Sequence, residues 1–171
     1  KNGNTALIAA CLGGQMKVVK HLLKMKGIQV NQTVTSGSTA LDAACQVGRV
    51  AVVKVLLARK EIQINQADKD GYTPLSVTCG QGHVDVVRLL LARKEIQINQ
   101  AKESGATPLS VTCEKGHVDV VRLLLARKDI QINQAMNNGA TPLHITCHKG
   151  HVGVVRLLLA RKEIQINQAT K

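Results

Sequence analysis

Aromatic residues are almost missing: the 171-residue chain has one tyrosine, Tyr72, and no phenylalanine or tryptophan. Irregular globular domains usually lean on aromatic bulk for their cores. Here 44% of the residues are hydrophobic without it, so the interior must be filled by Leu, Val, Ile, Ala, Thr and Cys, which suits many thin, similar layers. Long apolar runs are lacking too. None approaches the ~18 residues needed to cross a bilayer, and no charged-then-apolar N-terminal stretch reads as a signal peptide. The expectation is a soluble, intracellular (cytoplasmic) chain with no membrane insertion. Acidic residues are scarce: 11 Asp and Glu against 23 Lys and Arg leave a net charge of +12. That balance favours acidic partners, nucleic acid or anionic surfaces through long-range attraction.

What is present is repetition. Aligned to itself, the chain falls into register at a spacing of 34 from Thr5, Thr39, Thr73, Thr107 and Thr141. Gly3, Gly37, Gly71, Gly105 and Gly139 form one glycine series, and Gly14, Gly48, Gly82, Gly116 and Gly150 a second. All five cysteines, Cys11, Cys45, Cys79, Cys113 and Cys147, share one repeat position. The reading is a single domain over 1–171, with units 1–34, 35–68, 69–102, 103–136 and 137–170 and Lys171 beginning a sixth.

Residues 69–102 show how one unit is built. Gly71 sits in a polar turn, where a positive φ is easily adopted. Thr73-Pro74 reads as a helix start, with Thr as N-cap and Pro at the first helical position. Leu75, Thr78 and Cys79 fall on one helical face, and Gly82 ends the helix. A second helix is expected from Val84 to Arg93, apolar nearly all round except for Asp85, Arg88 and Ala92. Such a helix needs neighbours on several sides. Ile96 and Ile98 then alternate with Glu95 and Gln97 as an extended return. One unit cannot bury those Leu and Val side chains alone, whereas stacked units can, as a solenoid.

The runs Gly71-Tyr72-Thr73-Pro74-Leu75, Gly82-His83, Val86-Val87-Arg88-Leu89-Leu90-Leu91 and Ile98-Asn99 resemble the ankyrin repeat, as does Thr141-Pro142-Leu143-His144-Ile145-Thr146. The resemblance spans the whole chain and implies an all-α solenoid of stacked helix-turn-helix units with β-turn or hairpin tips. It also implies that the chain works by binding, not as an enzyme, and needs no cofactor. The period exceeds the family's usual 33 residues by one, in Arg93-Lys94-Glu95-Ile96, from which a longer second helix is expected, with Ile96 filling the space between units. The family's first-helix histidine is kept only at His144, with Ile8, Asp42, Ser76 and Ser110 elsewhere.

Residues 76–101 and 110–135 differ only at Gly80/Glu114, Gln81/Lys115 and Glu95/Asp129. A nearly constant scaffold thus carries two variable positions at the end of the first helix, filled by Leu12-Gly13, Gln46-Val47, Gly80-Gln81, Glu114-Lys115 and His148-Lys149. The turn tips vary as well: Ser36 and Ser38; Lys69, Asp70 and Tyr72; Glu103 and Ser104; Asn137 and Asn138. Both sets are expected on one concave side, forming a surface for a protein partner, with Tyr72 as its anchor. The positive balance favours an acidic partner. A second regular feature is a basic ladder along the outer side of the second helices: Lys54, Arg59, Lys60, Arg88, Arg93, Lys94, Arg122, Arg127, Lys128, Arg156, Arg161 and Lys162. It reads as a solvated face stabilised by the helix dipole, with Asp85–Arg88 as an i, i+3 pair, or as a track for nucleic-acid phosphates or an anionic surface. The scarcity of aromatics counts against stacking on single-stranded nucleic acid. A third function class is a regulatory segment of a larger enzyme or channel.

Cys79/His83, Cys113/His117 and Cys147/His151 repeat a Cys-x-x-x-His spacing that zinc sites also use. Each pair straddles the helix-ending glycine, so the reading is a packed cysteine and a turn-bonded histidine rather than a metal site. Disulfides between equivalent cysteines are excluded by the ~8–10 Å separation of stacked helices, and five reduced thiols suit a reducing compartment. Asn31-Gln32-Thr33 matches a glycosylation sequon, but Asn31 is read as a turn residue. No catalytic constellation can be assembled locally. The last unit copies the interior ones, so its outward apolar face is expected either to continue into a longer array or to mediate self-association.

Overall fold

A computed structural model describes residues 4–170; Lys1, Asn2, Gly3 and Lys171 lie outside the described residues. Among those described are ten helices and no strand: α1 (Ala6–Leu12), α2 (Met16–Leu22), α3 (Ala40–Gln46), α4 (Val50–Leu57), α5 (Pro74–Gln81), α6 (Val84–Leu91), α7 (Pro108–Lys115), α8 (Val118–Leu125), α9 (Pro142–Lys149) and α10 (Val152–Leu159). They form five antiparallel pairs. Each odd-numbered helix opens on its threonine, whose Oγ1 accepts the amide three residues on, as from Ser76 to Thr73 at 3.2 Å. α5, α7 and α9 carry proline in the first turn and end on a left-handed glycine.

The pairs stack into two layers, first helices on first helices and second on second. Neighbouring first helices approach one another more closely than neighbouring second helices. One aliphatic core runs the length of the array, with Leu41, Leu75 and Leu109 between first helices and Val53, Leu56, Val87, Leu90, Val121 and Leu124 beneath the second.

The second helices are not lengthened by the extra residue. α6 stops at Leu91, with Ala92 as C-cap, rather than running to Arg93. The residue gained lies in the turn that follows, where the Arg93 amide donates to Leu90 O at 3.1 Å. The physical reason is the guanidinium. Arg93 Nη1 donates to Leu57 O of the preceding unit at 2.8 Å, while Nε and Nη2 hold Glu95, and the backbone must leave the helix to let that fork reach back. The same fork recurs at Arg59, Arg127 and Arg161. Ile96 is buried as expected.

Two more devices cross each joint. Asn31 is not a local turn residue: its Nδ2 donates to Glu61 O and its Oδ1 accepts the Gln63 amide, one unit on. Asn65, Asn99 and Asn133 do the same. His83, His117 and His151 bond through Nε2 to Gln46 O, Gly80 O and Glu114 O of the preceding unit, not to their own turn. Each imidazole lies on the preceding helix-ending glycine, so a Cβ at Gly116 would fall 2.6 Å from His151 Nδ1. The tips are hydrogen-bonded turns, with the Asp68 amide on Tyr72 O and the Lys69 amide on Ser36 O of the neighbouring tip, each at 2.9 Å.

The candidate binding groove

The first helices and the tips enclose a groove of about 560 Å3. Its floor comes from α3, α5, α7 and α9, through Gln46, Val77, Val111 and Ile145, and its tip-side wall from Ser38, Asp68, Tyr72, Lys102 and Met136. A smaller hollow of about 410 Å3 adjoins it toward α1 and shares Ser38 and Gln46, so the two form one continuous trough.

Local rules place these side chains. The residue three positions after Thr39, Thr73 and Thr107 lies at the helix start and lines the groove, as Asp42, Ser76 and Ser110. His144 Nδ1 lies 2.8 Å from Thr141 Oγ1, and Asp42, Ser76 and Ser110 perform the same task without an imidazole. Asp42 Oδ2 accepts both the Thr39 amide at 2.8 Å and the Thr39 hydroxyl at 2.7 Å. The tip glycines are needed where tips meet. Gly71 has φ 80° and a Cβ there would sit 2.8 Å from Lys102 Cβ.

Of the residues expected to bind, Ser38, Gln46, Tyr72, Gln81, Glu114 and Lys115 line the main groove, and Ser36 lines the adjoining hollow. Val47, Lys69, Asp70, Glu103, Ser104, Asn137, Asn138, His148 and Lys149 lie outside both. Several of these hold the tips together: the Asn137 amide donates to Ser104 O at 3.0 Å and its Nδ2 to Glu103 O at 2.7 Å. Tyr72 is half-buried. Its ring carries Lys102 Nζ 4.4 Å from the centroid, and its hydroxyl accepts from the same ammonium at 2.9 Å.

Asp42, Asp68, Ser76, Val77, Lys102, Ser110, Val111, Met136 and Ile145 were not anticipated by sequence reasoning. A signal for the tip members exists. Val34, Asp68, Lys102 and Met136 occupy one repeat position and differ completely, so the variable tip begins one residue earlier than expected. Asp42 is 5% exposed. Burial pushes its carboxyl up to about 6, against the two hydrogen bonds from Thr39, and the nearby charge of Asp68 adds to the rise.

Charge in the groove does not follow charge on the chain. Asp42, Asp68 and Glu114 face Lys102 and Lys115, three carboxylates against two ammonium groups, on a chain of net charge +12. The positive excess lies elsewhere, much of it on the second helices, where Lys54, Arg88, Arg122 and Arg156 are exposed, with Lys60, Lys94, Lys128 and Lys162 just beyond. Arg59, Arg93, Arg127 and Arg161 instead form the inter-unit forks and pair with Glu61, Glu95, Asp129 and Glu163. These partners hold Glu61, Glu95, Asp129 and Glu163 below the usual carboxylate range, Asp129 mainly through Arg127 and the glutamates first through their own backbone amides. The expected Asp85–Arg88 pair is not among the ion pairs of the described residues.

Cys11, Cys45, Cys79 and Cys113 are buried, and burial lifts the first three thiols to about 12 and Cys113 to about 11. Cys147, in the last described unit, departs from the expected burial and is exposed. No helix among the described residues is long and apolar enough to cross a membrane.

A family model for ankyrin repeats matches in three copies, over residues 1–68, 61–136 and 93–170. The chain belongs to the ankyrin repeat family. Ankyrin repeats are in general protein–protein interaction modules, and the family is typically non-enzymatic. No curated protein matches the chain.

Proposed function

We propose that this ankyrin array is a protein-binding scaffold whose partner lies in the groove between the first helices and the tips. One observation carries the reading. Residues 76–101 and 110–135 are otherwise copies, two of their three differing positions are Gly80/Glu114 and Gln81/Lys115, and all four of these residues line the groove. Change concentrated where a partner would touch, on a scaffold held constant elsewhere, is how a rigid array acquires a specific target. The groove's charge argues for a partner segment that is not acidic.

A second reading places nucleic acid or another polyanion along the second helices, supported by the eight cations there that do not form forks. One pull-down at low and at high salt tests both, comparing the array with a Tyr72→Ala, Gln81→Ala, Lys115→Ala variant. The expected result is a protein partner retained at high salt and lost with the variant. Nucleic acid that washes off with salt and ignores the variant would overturn the groove reading, since phosphate contacts are strongly salt-dependent.

A further inference from the structure

The least expected member of the groove is Asp42. Ser76 fills the same place in the next unit and completes the helix cap with a neutral hydroxyl, and in the unit after it the Ser110 hydroxyl donates to Thr107 O. Asp42 completes the cap through Oδ2 alone, while its Oδ1 is buried with no hydrogen-bond partner. A carboxylate therefore adds a desolvated negative charge that the cap does not require, and an uncompensated buried charge is costly. The other buried side-chain atoms without a partner among the described residues are uncharged: the amide oxygens of Gln66, Gln100, Gln134 and Gln168, at one repeat position, and the Ser104 hydroxyl.

A second carboxylate stands beside the first. Asp68 gives Oδ1 to the amides of Asp70 and Tyr72 and makes no hydrogen bond through Oδ2 among the described residues. Its charge adds to the rise that burial imposes on the Asp42 carboxyl. Lys102 lines the same groove but is drawn onto the Tyr72 ring and hydroxyl, and forms no ion pair with either aspartate among the described residues. Ser38 and Gln46 add oxygens to the same corner.

We propose that this corner of the groove, between Asp42 and Asp68, is a subsite for an arginine side chain of an extended partner peptide. The inference rests on the groove reading above and names the chemistry of its partner. A guanidinium is the cation that fits: it is weakly hydrated, tolerates a dry site, and its planar array of donors can bond Asp68 Oδ2 from the groove while its charge lies against the desolvated Asp42 carboxyl. A peptide is the form that fits the trough, which continues on both sides of the corner, from Ile8 and Leu12 to Met136 and Ile145.

The test is selection of a phage-displayed random dodecapeptide library on the array, followed by affinity measurement of the enriched peptides. The expected result is an arginine in one fixed register. Replacing that arginine by citrulline, or Asp42 by Ser in the array, should weaken binding at least about tenfold. The Asp42→Ser variant keeps the cap chemistry of Ser76, and its thermal melting checks that it is folded. Peptides that lose affinity for the Tyr72→Ala, Gln81→Ala, Lys115→Ala variant but carry no fixed arginine and bind Asp42→Ser equally would overturn the subsite and leave the groove standing. Peptides that prefer lysine at that register would overturn the guanidinium assignment. Peptides indifferent to the triple variant would overturn both readings.

Discussion

Cys113 and Cys147 occupy the same place in consecutive units, yet one is buried and the other exposed. Ile132 and Ile166 differ likewise, at 3% and 63% exposure, as do Leu125 and Leu159, at 5% and 47%. Gly116 lies under His151, while Gly150 has open space above it. Local sequence is nearly constant across these pairs, so what differs is the neighbour. In a stack of this kind burial belongs to the joint between units rather than to the unit, and each comparison can be broken at a single residue.

The largest contrast is in thiol reactivity. Alkylation with iodoacetamide at neutral pH should modify Cys147 first, with Cys113 slower by about a thousandfold or more, because the thiolate is the reactive form and Cys113 is both buried and held near pH 11. Peptide mapping by mass spectrometry at early times checks this; equal labelling would mean that the joint above Cys113 opens freely. Next in size, Leu125→Ala should cost about 3 kcal/mol, in the range for buried leucine truncation, whereas Leu159→Ala should cost under about 1. Denaturant titration of the two variants measures the difference.

A comparison at constant burial follows, between Asp42 and Ser76. Folding raises the Asp42 carboxyl to about 6 from an ordinary value near 4, so the folded state binds the proton more tightly than the unfolded one. Its contribution to stability is present in full at low pH and is lost as pH rises through about 6, on the order of 2–3 kcal/mol in all. Asp42→Ser should therefore stabilise the array at pH 7 and have little effect near pH 4. The depressed carboxylates Glu61, Glu95, Asp129 and Glu163 act in the opposite sense, stabilising above their unfolded values and losing that contribution as pH falls. Melting curves of the array and the variant at the two pH values isolate the Asp42 term. The glycines give a smaller contrast. Alanine at Gly150 meets only the left-handed backbone, about 1 kcal/mol, whereas at Gly116 it also displaces His151 and its bond to Glu114 O, adding about another 1.

These comparisons also show what sequence reading could reach. Helix starts at Thr73-Pro74 and ends at Gly82 were legible because a cap is local, its donor and acceptor three residues apart. The end of α6 was not, because Arg93 leaves the helix to meet Leu57 O, 36 residues back. Asn31, His83 and Arg93 recur visibly, but their partners sit 30–37 residues away, and periodicity shows that a residue repeats without showing what it touches. The groove was half legible. Variation pointed to Gln81 and Lys115, while Asp42 and Asp68 stood in equally variable positions whose direction only the stacked structure supplies.

The smallest effect concerns the forks, and it asks whether an interior joint can be turned into an end. Leu159 O is the carbonyl that corresponds to Leu57, Leu91 and Leu125 O, and among the described residues no fork meets it. Arg127 meets Leu91 O at 2.7 Å through Nη1 while Nε and Nη2 hold Asp129. Lysine carries the same charge but cannot address both partners in one plane, so Arg127→Lys keeps the Coulomb attraction and abandons a charge-assisted bond to the carbonyl. That bond is part-buried, and its loss should cost about 1 kcal/mol. The ion pair is exposed on the acidic side, with Asp129 at 52%, so Asp129→Asn should cost no more than about 0.5 kcal/mol and should lose its effect in high salt. Denaturant titration at two salt concentrations separates the terms. A larger, salt-sensitive loss from Asp129→Asn than from Arg127→Lys would make the joint an ion pair first and a carbonyl clamp second.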